Sequence, residues 1–214
     1  MLRYYSERLG AVEINNTFYH MPTESVLHSW AGQVPDDFVF ALKAPQVMTH
    51  FKRLKNVDEE SKYLFRTLTV LGEKLGPVLF QFLKSFHADL PALKSFLALI
   101  PGKIPCAFEF RSPSWLDGEI LDLLREQGCG LCNADTDENP VNEIISAAPW
   151  GYLRLRRSDY NDADLSQWRE RIHSQKWERA FVFFKHEDKA KGPEMAIRFK
   201  ELTVQSVNNR KSGQ

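Results

Sequence analysis

Val78-Leu79-Phe80-Gln81 and Cys106-Ala107-Phe108-Glu109-Phe110 are short apolar runs of strand length, and residues 90–100 between them carry apolar side chains at helical spacing. Strand, helix and strand in that order form the unit from which parallel sheets are built. Working outward, the same kind of apolar run recurs at residues 12–15, 38–43, 130–133, 151–155 and 181–184. Helical spacing fills residues 58–75, 118–126, 164–174 and 191–202. Pro22-Thr23-Glu24, Asp58-Glu59-Glu60 and Pro193-Glu194 read as helix starts, because acidic residues favour the first turn. Gly76-Pro77 and Gly128 are expected to close helices before the next strand.

Seven strands alternating with helices imply a mostly parallel sheet, either an open doubly wound one or a closed barrel. The barrel is favoured. No strand is followed by a glycine-rich phosphate loop, and polar residues follow nearly every strand instead of clustering at one switch point. The expectation is an α/β fold of the TIM type, a single (β/α)-barrel domain over residues 1–214.

Strand side chains alternate faces, so each run divides into two sets. Phe40 and Leu42 suit a helix-covered outside, which sends Val39, Ala41 and Lys43 inward; Phe108 and Phe110 send Ala107, Glu109 and Arg111 inward. Glu13 with Asn15, Asn133 with Asp135, and Tyr152 with Arg154 and Arg156 form further inward sets, and Gln81 with Lys185 or His186 completes the ring. Charges taken out of water need partners or a ligand, and strand ends are where this architecture places its chemistry. Lys43, Arg111, Arg154, Arg156 and Lys185 stand against Glu13, Glu109 and Asp135, five cations to three carboxylates. That local surplus points to an anionic substrate. The competing reading is a set of ion pairs, Glu109 with Arg111 and Asp135 with Arg154 or Arg156, that only braces the rim.

The chain as a whole gives no such bias, since 28 Lys+Arg balance 28 Asp+Glu among 214 residues. No stretch approaches a membrane span and the first residues lack a secretory apolar core, so a cytoplasmic location is the default. Cys106, Cys129 and Cys132 are an odd, sparse set, read as reduced. The Cys129-x-x-Cys132 pair enters a strand and not a helix, which favours small buried side chains over a redox or zinc site.

Six ordered motifs resemble the YecE-like proteins, domain-of-unknown-function family 72. They are Val12-Glu13-Ile14-Asn15-Asn16-Thr17-Phe18-Tyr19; Phe40-Ala41-Leu42-Lys43-Ala44-Pro45 with Thr49-His50; Phe108-Glu109-Phe110-Arg111-Ser112-Pro113-Ser114-Trp115; Asn133-Ala134-Asp135; Tyr152-Leu153-Arg154-Leu155-Arg156; and the stretch from Phe183 through Lys185 and His186 to Pro193. The resemblance implies a (β/α) barrel and no particular reaction. Members of that family begin with a strand bearing a Gly-Thr-x-Gly-Trp-x-Tyr-like motif, whereas this chain starts in a segment resembling the helix that follows it. The resemblance therefore implies that the first strand is absent and that the strands at Val12 and Phe181 are edges open to pairing. Leu83-Lys84-Ser85-Phe86 also departs from a Pro-Pro-Ser-Phe-like turn.

Glu109, Asp135, Glu13 and Lys43 are the candidate catalytic residues. Carboxylates serve acid/base work, and a desolvated lysine can form a Schiff base, although an ion-paired or substrate-binding lysine is the simpler reading. Asn15, Tyr19, Gln81, Arg111, Trp115, Arg154, Arg156, Lys185 and His186 are the candidate substrate-binding residues. Phe18, Tyr19, Trp115 and Tyr160 either stack on a base or sugar or close the core. Only His186 among six histidines directly follows a strand, so no metal site or cofactor is expected, save a single Mg²⁺ on Glu109, Asp135 or Glu13. No Gly-x-Ser-x-Gly elbow supports acyl transfer. Arg154-Leu155-Arg156-Arg157 is a weak nucleic-acid patch because Leu155 faces the core. The leading expectation is an enzyme acting on a small anionic, phosphorylated substrate, with Glu109 or Asp135 as acid/base and Arg111, Arg156 and Lys43 holding the anion. The alternative is a non-catalytic barrel that binds a nucleic acid or a protein segment.

Overall fold

The computed structural model describes residues 2–184 and 191–211, with side chains up to residue 203. The strands are β1 (Ala11–Ile14), β2 (Val39–Lys43), β3 (Leu75–Gln81), β4 (Cys106–Glu109), β5 (Gly130–Asp135), β6 (Trp150–Leu155) and β7 (Arg179–Phe184). The helices are α1 (Leu2–Ser6), α2 (Glu24–Ala31), α3 (Asp58–Leu68), α4 (Leu90–Leu97), α5 (Gly118–Glu126), α6 (Asp162–His173) and α7 (Lys191–Lys211). Strand order in the sheet follows chain order from β1 to β7. The pairs β1–β2, β2–β3, β3–β4, β4–β5 and β6–β7 are parallel. Sequential parallel strands with a helix after nearly every one give an α/β fold of the TIM-barrel type. The chain divides into two compact units, Met1–Cys132 and Asn133–Gln214, and the division falls inside β5.

In the first unit the helix-facing side of the sheet is aromatic. Phe40 of β2 lies near Trp30 of α2, and Phe80 of β3 stacks on Phe108 of β4 at 5.4 Å and meets Phe96 of α4 at 4.9 Å. Phe40, Phe80, Phe96 and Phe108 have no exposed surface. Burying each ring contributes roughly 1.5–3 kcal/mol, so this side sets the strand register. Period-two alternation then forces Ala41 and Lys43, Leu79 and Gln81, and Ala107 and Glu109 to the opposite face. The core of the second unit gathers Leu153 and Leu155 of β6 with Ile144, Tyr160, and Leu165 and Trp168 of α6.

Local chemistry sets the helix starts. Thr23 accepts from the Val26 N–H, Asp89 from Ala92 and Asp117 from Glu119, while Asn161 and Asp164 form a reciprocal capping box at α6. Gly128, at φ 63°, terminates α5 as expected.

Gly76-Pro77 does not close a helix. The helix of residues 58–75 stops at Leu68 and gives way to a 3-10 turn, Thr69–Lys74, containing Gly72 at φ 53°. Gly76 and Pro77 then belong to β3 itself. Phe40 pairs with Leu75 and Leu42 with Val78, so β3 carries one residue more than β2 at this point. A Cβ on Gly76 would overlap the Val39 side chain and lie 3.1 Å from the Phe40 carbonyl oxygen. Gly76→Ala is therefore expected to destabilise the protein by about 1–3 kcal/mol, read as a lower urea midpoint at unchanged m-value.

Candidate functional site

The last residues of β1 to β4 and the loops that follow them assemble a polar cluster in the first unit. Gln81 and Glu109 are register partners, and the Gln81 amide donates to Glu109 Oε1 at 2.8 Å. Arg111 donates its Nε–H to the same oxygen at 3.1 Å, and the Cys132 thiol lies 3.9 Å from Oε2. Glu109 is buried, whereas 43% of the Arg111 side chain remains exposed. The arrangement brings a carboxylate out of water and points its guanidinium partner toward solvent.

β1 and β2 supply the neighbouring groups. Asn15 donates its amide to Glu13 Oε1 at 3.0 Å. Thr17, buried in the turn after β1, donates its hydroxyl to the Lys43 carbonyl at 2.7 Å and so ties the ends of β1 and β2 together. The Lys43 ammonium sits 3.8 Å from the centre of the Phe18 ring, a cation–π contact. Phe18 also meets His50 edge-on at 4.9 Å and Tyr19 at 5.2 Å. His50 belongs to a π-helical turn, Val47–Phe51, and its Nδ1 is 2.8 Å from the hydroxyl of fully buried Thr49. Burial, followed by the positive charges of Lys43 and Arg111, lowers the His50 pKa below the usual imidazole value. Both cations therefore act on one imidazole. Tyr19 and Phe51, 64% and 71% exposed, are large rings open to solvent on the same loops.

The second unit uses its buried polar residues differently. Asn133 holds the β5–β6 loop by exchanging two hydrogen bonds with the backbone of Ile145. Asp135 has no exposed surface: Oδ1 accepts from the Val141 N–H at 2.8 Å and from Arg157 Nη2 at 3.0 Å, and Oδ2 accepts from the Tyr160 hydroxyl at 2.7 Å. Arg157 Nε is 2.8 Å from Oδ2. Burial and the bond to Asp135 push the Tyr160 phenol above its ordinary pKa, and the same carboxylate raises that of Arg157. The partner of Asp135 expected from alternation was Arg154 or Arg156. It is Arg157 instead, because β6 ends at Leu155 and the two-residue period lapses beyond it. Arg154 is buried on β6 and Arg156 is half-buried.

Trp115 is not open to a ligand. It is completely buried, stacks on Phe110 at 4.9 Å and donates its indole N–H to the Phe86 carbonyl. Lys185 and His186 lie outside the described residues. All three cysteines are free and buried, and burial pushes the Cys129 thiol up to about 12. Among the described residues no group of three His, Cys, Asp or Glu is gathered as for a metal ion, and no helix is long and apolar enough to cross a membrane.

His50 and Cys132 were missed as site residues by strand alternation, the first because it stands in a turn and the second because small cysteines read as filler. The pair Thr49-His50 was the available signal for the first. No pattern in the sequence marks Arg157.

Sequential parallel strands whose polar groups gather at their C-terminal ends define a TIM-type (β/α) protein with its candidate chemistry on the face usual for that architecture. More particularly, the chain belongs to the DUF72 family: the profile described as "Protein of unknown function DUF72" matches residues 1–213. It is 30% identical over 146 residues to the UPF0759 protein YecE of Escherichia coli K12, covering 67% of this chain and 51% of YecE. It is 31% identical over 139 residues to the UPF0759 protein YunF of Bacillus subtilis, covering 59% and 49% of the two chains. The chain thus spans about half the length of the curated relatives it matches. A crystal structure of a DUF72 family protein from Enterococcus faecalis superposes with a TM-score of 0.81 at 21% identity, covering 94% of this chain and 92% of the other. Another from Thermotoga maritima gives 0.78 at 25% identity, with 91% and 84% covered. These likenesses establish the fold and the family.

Removing the Tyr160 hydroxyl leaves Asp135 short of one donor in a site closed to water. Tyr160→Phe is expected to cost roughly 1–3 kcal/mol of stability, read by urea unfolding followed by circular dichroism.

Proposed function

We propose that the strand ends of the first unit bind a small anionic, phosphorylated substrate and act on it by acid/base chemistry. The observation that carries this reading is the gathering, at the strand ends of one unit, of Lys43, seated on the Phe18 ring that also meets His50, and of partly exposed Arg111, in a chain of zero net formal charge. An ammonium and a guanidinium at the same strand ends both suit the oxygens of a phosphoryl group. Arg111 and Lys43 are the anion holders in this reading. Glu109, with Gln81 and Arg111 both on Oε1, orients the guanidinium. His50 is the proton acceptor, kept neutral near physiological pH by its depressed pKa. Glu13, half-buried and held by Asn15, is a carboxylate within the same strand-end set. Asp135 and Trp115 are left out because neither presents surface to a substrate.

Exposed Tyr19 and Phe51 favour a second reading, in which the same face grips a nucleic acid by stacking and phosphate contacts. Salt separates the two: binding of a polyanion falls steeply between low and physiological salt, while a small substrate held by oriented partners responds much less.

The sign of the His50 shift gives the test. An imidazole that is harder to protonate in the folded chain costs no stability well above pH 6.5; it costs stability as the pH falls below that value, where the unfolded chain takes up the proton first. In proton NMR the His50 ring is expected to titrate below 6.5 and to move upward when inorganic phosphate is added. Arg111→Ala should raise the midpoint without phosphate and blunt the response to it. A His50 midpoint indifferent to phosphate contradicts the proposal.

A further inference from the structure

Residues 52–56, between the π-helical turn and α3, hold an unusual backbone. Arg53, Leu54 and Asn56 have φ of 47°, 66° and 53°, the left-handed region in which residues other than Gly and Asn are disfavoured. The turn is nevertheless anchored. Leu54 is buried, its N–H donates to the Met48 carbonyl at 2.8 Å, and Lys52 and Lys55 donate theirs to Val47 and Lys52 at 2.9 Å. Glycine would satisfy position 53 at less cost, so the side chain carried there is the feature to explain.

That side chain borders a cleft of about 500 Å³. One wall is Lys52, Arg53 and Lys55; the other runs from Ser85 to Pro91. The second wall is fixed from behind: Phe86 is buried against Trp115, and Ser114 accepts from the Ala88 N–H. Asp89 is the sole carboxylate lining the cleft, and it is occupied by Lys55 at 2.8 Å and by the Ala92 N–H. Lys52 reaches Glu60 and the Asn56 carbonyl. Among the described residues no carboxylate pairs with Arg53, whose guanidinium is 5.8 Å from the centre of the Phe86 ring. His87 has its Nδ1 3.3 Å from the Ser112 hydroxyl, which leaves Nε2 as the ring atom available to a ligand.

We propose that this cleft is a phosphate-binding site, in which Arg53, set beside the Phe86 ring, receives the phosphoryl group of a small phosphorylated molecule. With Lys52 paired to Glu60 and Lys55 to Asp89, the charge of Arg53 is the one left unmatched and sets the sign of the ligand, and its planar guanidinium suits paired phosphoryl oxygens. The volume falls in the range of small-molecule sites and exceeds what a bare phosphate fills. No lining residue belongs to the set formed by Glu13, Lys43, His50, Glu109 and Arg111, so the cleft and the strand-end proposal stand or fall separately.

Titrating pyrophosphate into the isotopically labelled protein and following backbone amides tests the site. The expected result is movement of amides at residues 52–56 and 85–89, with an affinity, read from those amides, at least tenfold weaker in Arg53→Gly. The thermal midpoint of Arg53→Gly should equal or exceed that of the parent, because glycine accepts the left-handed conformation; this distinguishes loss of a ligand contact from loss of the fold. Arg53→Gln, which keeps most of the stem without the charge, should weaken binding likewise. Pyrophosphate shifts confined to residues 13–19, 43–50 and 109–111, or an affinity that Arg53→Gly leaves intact, overturn the proposal.

Discussion

A carboxylate withdrawn from water must be given partners, and Glu109 shows how much follows from that requirement. Ionising such a group in a protein interior without compensation costs several kcal/mol. Here the compensation comes from Gln81, placed opposite Glu109 by strand register, and from Arg111, two residues past the end of β4. The aromatic side of β2, β3 and β4 holds that register, because shifting a strand by one residue would expose Phe40, Phe80 or Phe108 and bury charges among the helices. Packing on one face therefore dictates polar chemistry on the other. Arg111, held at Nε and still partly exposed, is the point where this internal accounting reaches solvent.

The second unit meets the same requirement with the opposite result. Asp135 is surrounded by Val141, Arg157 and Tyr160 until no surface remains, so its charge fastens loops together and presents nothing to a ligand. Two carboxylates at strand ends, equivalent by type and spacing, thus take different roles. The difference lies in whether the groups that answer the charge also enclose it. An open guanidinium leaves a site; a tyrosine and an arginine folded over from the next loop leave a clasp.

This contrast marks what the amino-acid sequence can convey. The seven strands were legible because period-two burial extends across whole segments, and Lys43, Gln81, Glu109 and Arg111 were legible because their inward direction follows from neighbours such as Phe40 and Phe108. Legibility ended where regular backbone ended. Arg157 replaced Arg154 and Arg156 at Asp135 two residues past β6, and His50 entered the cluster from a π-helical turn that no periodicity announces. Gly76-Pro77 carried the ordinary sign of a helix stop yet formed an irregularity inside β3, since its meaning depends on the partner strand. Trp115 had the composition of a stacking platform and the burial of a core residue. Side-chain type alone does not separate these roles; the ring contacts with Phe82, Phe86 and Phe110 do.

The central question is whether an anion is held at the strand ends that carry Lys43 and Arg111. The most direct measurement is a crystal structure after soaking with tungstate, a phosphate mimic whose position is read from anomalous scattering. The account predicts a tungstate within hydrogen-bonding distance of Arg111 and Lys43 at the ends of β2 and β4, absent from crystals of Arg111→Ala. Crystals that take up tungstate elsewhere while those strand ends stay empty would contradict it.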